Sequence, residues 1–197
     1  MNWDRLNRWT TALYALIHSL RLAKAIEFGN LPGLKTSILE AAKWTPNIAS
    51  YNSVLLSQPF GKSAVTFRRD PNTHFEEIAE QVICMLVQDL VVIFDGMMDE
   101  ILQSRNEKPA NYPSSKIQQL SKHLNNKYEW AHHGCLELIA VRNVLTHADG
   151  QWNTRSINLV SGFLSPPPTI GEKLRIGFPL LFRFRKAVRT FVNEVKL

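Results

Sequence analysis

The chain has 197 residues, 45% of them hydrophobic, and its 23 lysines and arginines outweigh 17 acidic residues to give a net charge of +6. That length supports one domain with a sizeable core, and the apolar content excludes a disordered chain. Only Cys84 and Cys135 occur, without CxxC spacing, so a disulfide framework is excluded and both read as reduced thiols.

In chain order, a stretch from Asn2 or Asp4 to about Phe28 reads as an amphipathic helix with Leu6, Trp9, Leu13, Leu16, Ile17, Leu20 and Ala23 on one side. Asp4 precedes its most apolar stretch, and His18, Arg21 and Lys24 follow closely, which argues against a secretory signal and for a cytoplasmic protein. Gly29, Pro32 and Gly33 end this helix. Residues 34–44 suggest a short helix stopped before Pro46, and residues 48–67 carry no decisive pattern.

A central helix is expected over residues 73–104. Ile78, Val82, Leu86, Leu90, Ile93, Met97 and Ile101 form one apolar stripe, with Ile83, Val87, Val91, Phe94 and Met98 beside it. So wide a face predicts burial among several neighbours, with Glu77, Gln81, Gln88, Asp95 and Asp99 on a narrow polar strip. Gln88 and Asp89 break the longest apolar run, residues 82–94, so no membrane span is expected there. A polar loop at 106–114 turns the chain into a second long helix, 115–147, with an interruption expected near Asn125 and Asn126. Two long helices joined by a short loop make an antiparallel hairpin. Residues 156–163 and 173–178 have strand character and predict a small β-hairpin, and a last helix spans 179–195. The fold class is therefore mainly α, an antiparallel helical bundle with a small β-hairpin before its last helix. Residues 1–197 form one domain, with residues 1–70 an N-terminal extension packed on the core.

Charge is unevenly placed. Residues 71–105 hold seven acidic residues and one basic, whereas residues 151–197 hold eight basic and two acidic. The basic end could contact phosphates or neutralise the acidic helix, and both readings stay open.

The chemistry concentrates at Arg142-Asn143-Val144-Leu145-Thr146-His147, followed by Ala148-Asp149-Gly150. On a helix, Asn143 and His147 stack in one column and Arg142 and Thr146 in the next, a compact polar patch on an otherwise apolar helix. The Asp-Gly exit places His147 in the last turn, where a cation suits the helix dipole. Arg69–His74 has the same spacing, but Pro71 interrupts it, and Asn72 or Thr73 reads as the cap of a helix starting near His74. His132 and His133 lack a third ligand at metal spacing, and no Gly-rich phosphate loop or nucleophile elbow occurs. Neither metal nor cofactor is expected.

The Arg142–His147 stretch resembles the Arg-x(4–6)-His motif of HEPN (higher eukaryotes and prokaryotes nucleotide-binding) domains, in which a polar residue such as Asn143 commonly follows the arginine. The likeness covers residues 73–147 and the last helix. Phe94-Asp95 is similar to a Phe-acid pair of related HEPN families, which implies Asp95 as a partner supporting Arg142, and Thr146 completes the patch. The resemblance implies a HEPN-like bundle, a homodimer with facing motifs, and metal-independent RNA cleavage with Arg142, Asn143 and His147 as catalytic residues. It further implies a toxin or phage-defence (abortive infection) effector, with a nucleotidyltransferase antitoxin or another defence protein as partner. The alternative from the same resemblance is a non-catalytic module that binds RNA, nucleotide or a protein.

Overall fold

The computed structural model describes the backbone of residues 3–24 and 71–196, and side chains over 3–19 and 79–196. The short helix expected at 34–44, the undecided stretch 48–67 and Arg69 lie outside the described residues. Backbone contacts divide the chain into two compact units, residues 1–17 with 79–197, and residues 18–78. The first unit carries every site discussed below.

Six helices are described: α1 (Trp3–Lys24), α2 (Pro71–Ser104), α3 (Pro113–Ser121), α4 (Glu129–His147), α5 (Thr154–Val160) and α6 (Phe178–Val195). A single 3-10 turn, Asn126–Tyr128, precedes α4, and the Asn125 side chain caps it by accepting from the Lys127 amide. The interruption expected near Asn125 is therefore a real break that divides the 115–147 stretch into α3 and α4. α2 begins at Pro71, earlier than the cap reading of Asn72 and Thr73 implied, because proline at a first helical position forfeits no hydrogen bond.

The core follows the apolar stripes. Val87, Leu90, Phe94 and Met98 of α2 are fully buried, as are Leu138 and Val144 of α4 and Val188 and Phe191 of α6. Phe94 meets Phe191 edge to face, with ring centroids 5.9 Å apart. Leu6, Trp9 and Leu13 of α1 are buried in the same core, and the Trp9 indole donates to the Leu86 carbonyl at 3.0 Å. Arg185 of α6 donates through Nε to Thr10 Oγ1 at 2.8 Å. Residues 3–17 thus contribute buried side chains to this core. The 79–104 part of α2 is long and apolar enough to cross a membrane by composition, but its buried positions are those of this core.

The β-hairpin does not form. Residues 154–160 are helix α5, started by Asn153, whose side chain accepts from the Ser156 amide at 2.9 Å. Ile157 and Val160, read as strand residues, face the core from one side of that helix. Such a cap stabilises a helix by about 1 kcal/mol, enough to override the weak β-preference of two branched residues. Lys173 does make a β-type contact, but its antiparallel partner is Gln151.

α4 packs on both α5 and α6. Its approach to α6 is close because position 134 is glycine: a Cβ there would lie 2.7 Å from the Ala187 Cβ.

Candidate functional site

The end of α4 is set by its exit. Asp149 and Gly150 take positive φ angles of 48° and 75°, and the Gly150 amide returns to the Val144 carbonyl at 3.2 Å. This left-handed stop directs two amides to the Val144 carbonyl and leaves His147 as the final helical residue. The Gly150 carbonyl then accepts from the Leu174 amide at 2.7 Å, which pins the exit to the 171–174 segment.

Arg142, Asn143 and His147 line one cavity of about 230 Å³. Arg142 and Asn143 are half-buried, while His147 is exposed. Arg142 Nη1 donates to Asn143 Oδ1 at 3.1 Å, so the amide orients the guanidinium along the cavity wall. Thr146 is outside the cavity; its hydroxyl accepts from Gln88 Nε2 at 3.4 Å and ties the end of α4 to α2.

Asp95 is engaged elsewhere. Lys116, only 7% exposed, reaches Asp95 at 2.8 Å and Asp99 at 2.6 Å. Burial pushes the Lys116 ammonium down, but the two carboxylates outweigh it and leave its pKa above the ordinary lysine value. The supporting role implied for Asp95 toward Arg142 is thus replaced by a Lys116 clamp that joins α2 to α3. The consequence for the site is electrostatic: Lys116 offsets part of the charge of Asp95 and Asp99, and no carboxylate lines the cavity among the described residues.

The structure adds residues that local spacing missed. Arg155 of α5 and Tyr112, ahead of α3, line the same cavity, with the Arg155 guanidinium 5.8 Å from the Tyr112 ring centroid. Asn153 and the fully buried Ser156 complete that wall, and the Ser156 hydroxyl has no hydrogen-bond partner among the described residues. The one sequence signal for this wall was the Asn153 cap, which announces a short helix and so turns Arg155 back toward α4.

The two other histidines of α4 behave differently. His133 stacks on Phe163 at 4.3 Å, and His132 lies against Phe191 at 6.4 Å. Burial, reinforced by neighbouring His133 and opposed by Glu129, lowers the His132 pKa. A larger cavity, about 880 Å³, runs along residues 80–85 of α2 and residues 173–176, and contains neither Arg142 nor His147.

No family model matches this chain, and no curated protein and no solved structure does so either.

Proposed function

We propose that the protein is a metal-independent endoribonuclease of HEPN type, acting through Arg142, Asn143 and His147. The observation that carries this reading is the cavity at the end of α4, where an imidazole and an amide-oriented guanidinium share a space with a second arginine and, among the described residues, no acid. Such a site attracts a phosphodiester and supplies one proton-transfer group and a cation for its cleavage.

In the proposed reaction His147 removes the proton from a ribose 2′-OH. The 2′-oxygen bonds to phosphorus, the bond to the 5′-oxygen breaks, and Arg142 holds the phosphate oxygens as their charge grows. The leaving 5′-oxygen needs a proton at the same time, which one imidazole cannot give while accepting another. A homodimer that faces two motifs provides a second His147 for that role. DNA is excluded as substrate because it lacks the 2′-OH. The biological reading is a cytoplasmic toxin or phage-defence effector, held in check by a nucleotidyltransferase antitoxin or another defence-system protein.

The test is incubation of the purified protein with RNA and analysis of the ends. The expected products carry a 2′,3′-cyclic or 3′-phosphate and form equally in EDTA. Loss of cleavage in EDTA would overturn the metal-free mechanism, and full activity from a strict monomer by light scattering would overturn the dimeric one. One observation favours the non-catalytic alternative, an RNA- or nucleotide-binding module: among the described residues no hydrogen bond orients the His147 ring. Specific RNA binding without cleavage, in the dimer as in the monomer, would decide for that reading.

A further inference from the structure

We infer that the wall of the motif cavity formed by Arg155 and Tyr112 is a subsite for a nucleotide flanking the cleaved phosphate, and that it selects single-stranded RNA. The inference rests on the cavity being an RNA site and adds a binding role for residues outside the motif.

Four observations carry it. Arg142 and Arg155 enter one cavity from different helices, and no carboxylate lines that cavity among the described residues, so two permanent cations face a common space. Uncompensated guanidiniums converging in a concave site are what an oxyanion fills, with planar forks suited to phosphate oxygens. The volume, about 230 Å³, falls below the range of roughly 300–1,000 Å³ usual for pockets that enclose a whole organic ligand. A phosphate and its sugar therefore enter, and the base remains at the mouth. There, Tyr112 is 60% exposed with Arg155 over its ring, an arrangement that offers a flat aromatic face bordered by a cation. A base stacks on such a platform only after leaving a duplex, which is the physical origin of the preference for single strands. Finally, the Ser156 hydroxyl is buried in this wall without a partner among the described residues, a cost that a nearby ligand oxygen or ordered water relieves.

The mechanistic division is specific. Arg142 acts on the reacting phosphate, whereas Arg155 and Tyr112 hold the neighbouring nucleotide, so they govern affinity more than the chemical step.

The full-length His147→Ala protein separates binding from cleavage. Its affinity for a fluorescein-labelled 12-nucleotide single-stranded RNA, and for the same sequence as a duplex, is read by fluorescence anisotropy at several salt concentrations. Single-stranded RNA should bind more tightly than the duplex. Adding Arg155→Ala should weaken single-strand binding about tenfold and lower the salt slope by about 0.7, one phosphate contact. Adding Tyr112→Ala should also weaken binding several-fold with no change in salt slope, and Tyr112→Phe should restore it, since the ring and not the hydroxyl is used. Both residues are exposed, so the helical circular dichroism should be unchanged in each variant. Equal affinities across parent, Arg155→Ala and Tyr112→Ala overturn the subsite, as does a preference for the duplex. With His147 intact, Arg155→Ala should raise KM with little effect on kcat, and an unchanged KM also overturns it. If RNA binds as described but the wild-type protein never cleaves, the subsite stands and the nuclease reading falls.

Discussion

The two ends of α4 carry the same residue types to opposite purposes. Near its start, His132 and His133 sit among Phe163 and Phe191, and Gly134 lets α6 approach closely. At its finish, Arg142 and His147 line an open cavity where the helix stops. Histidine at the first end is packing; at the second it is available to a ligand. Burial separates them, because a desolvated imidazole resists the charge that acid–base chemistry requires, and the lowered pKa of His132 records that resistance.

The largest expected effect breaks the comparison at the cavity end. Arg142→Ala and His147→Ala should each reduce RNA cleavage by at least about 100-fold while leaving the helical circular dichroism unchanged. His74→Ala, at the similarly spaced second match, should keep its activity. Equal loss in that variant would mean the wrong arginine–histidine pair has been assigned.

Next comes the packed end. Gly134→Ala forces a methyl group to within 2.7 Å of the Ala187 Cβ, an atom fixed to the α6 backbone and unable to rotate away. A loss of about 1–3 kcal/mol in unfolding free energy is expected by denaturant titration. Wild-type stability would show that α4 and α6 can separate without cost.

Lys116→Met sharpens the contrast from a third place. It strips Asp95 and Asp99 of their shared cation, and because both carboxylates are a third exposed, water offsets part of the penalty. We expect about 1–2 kcal/mol of destabilisation, together with weaker RNA binding as the freed acids lower the positive potential near Arg142. Unaltered RNA affinity would show that the clamp is structural alone.

The smallest effect is the pH dependence from His132. Its folded pKa lies below the ordinary value of about 6.5, so the unfolded chain binds the proton first. Its contribution to stability is complete above that value and is lost as pH falls through it toward the folded pKa. His132→Leu should flatten the stability profile below about pH 6.5, measured by thermal unfolding. An identical slope in the variant would assign the effect to other groups.

Much of the fold was legible because its signals are periodic. The α2 stripe, the α1 stripe through Leu6, Trp9 and Leu13, and the last helix each repeat an apolar face over several turns, and their burial follows. Residues 154–160 failed because seven residues hold too few turns for a helical period to show, while Ile157 and Val160 carry β-preference. The Asn153 cap was the deciding signal, and it lies outside the segment that was read as strand.

The candidate site divides along the same line. Arg142, Asn143 and His147 lie within six positions of one helix, so its last two turns hold all three, and the Asp149-Gly150 exit marks where that helix stops. Tertiary structure decided the rest. Lys116 takes Asp95 and Asp99 from α2, and Tyr112 and Arg155 reach the cavity from separate elements on either side of α4 in the chain. The physical reason is range: helical spacing is set by hydrogen bonds within a single turn, whereas charge pairing and cavity walls depend on how whole helices pack through the core.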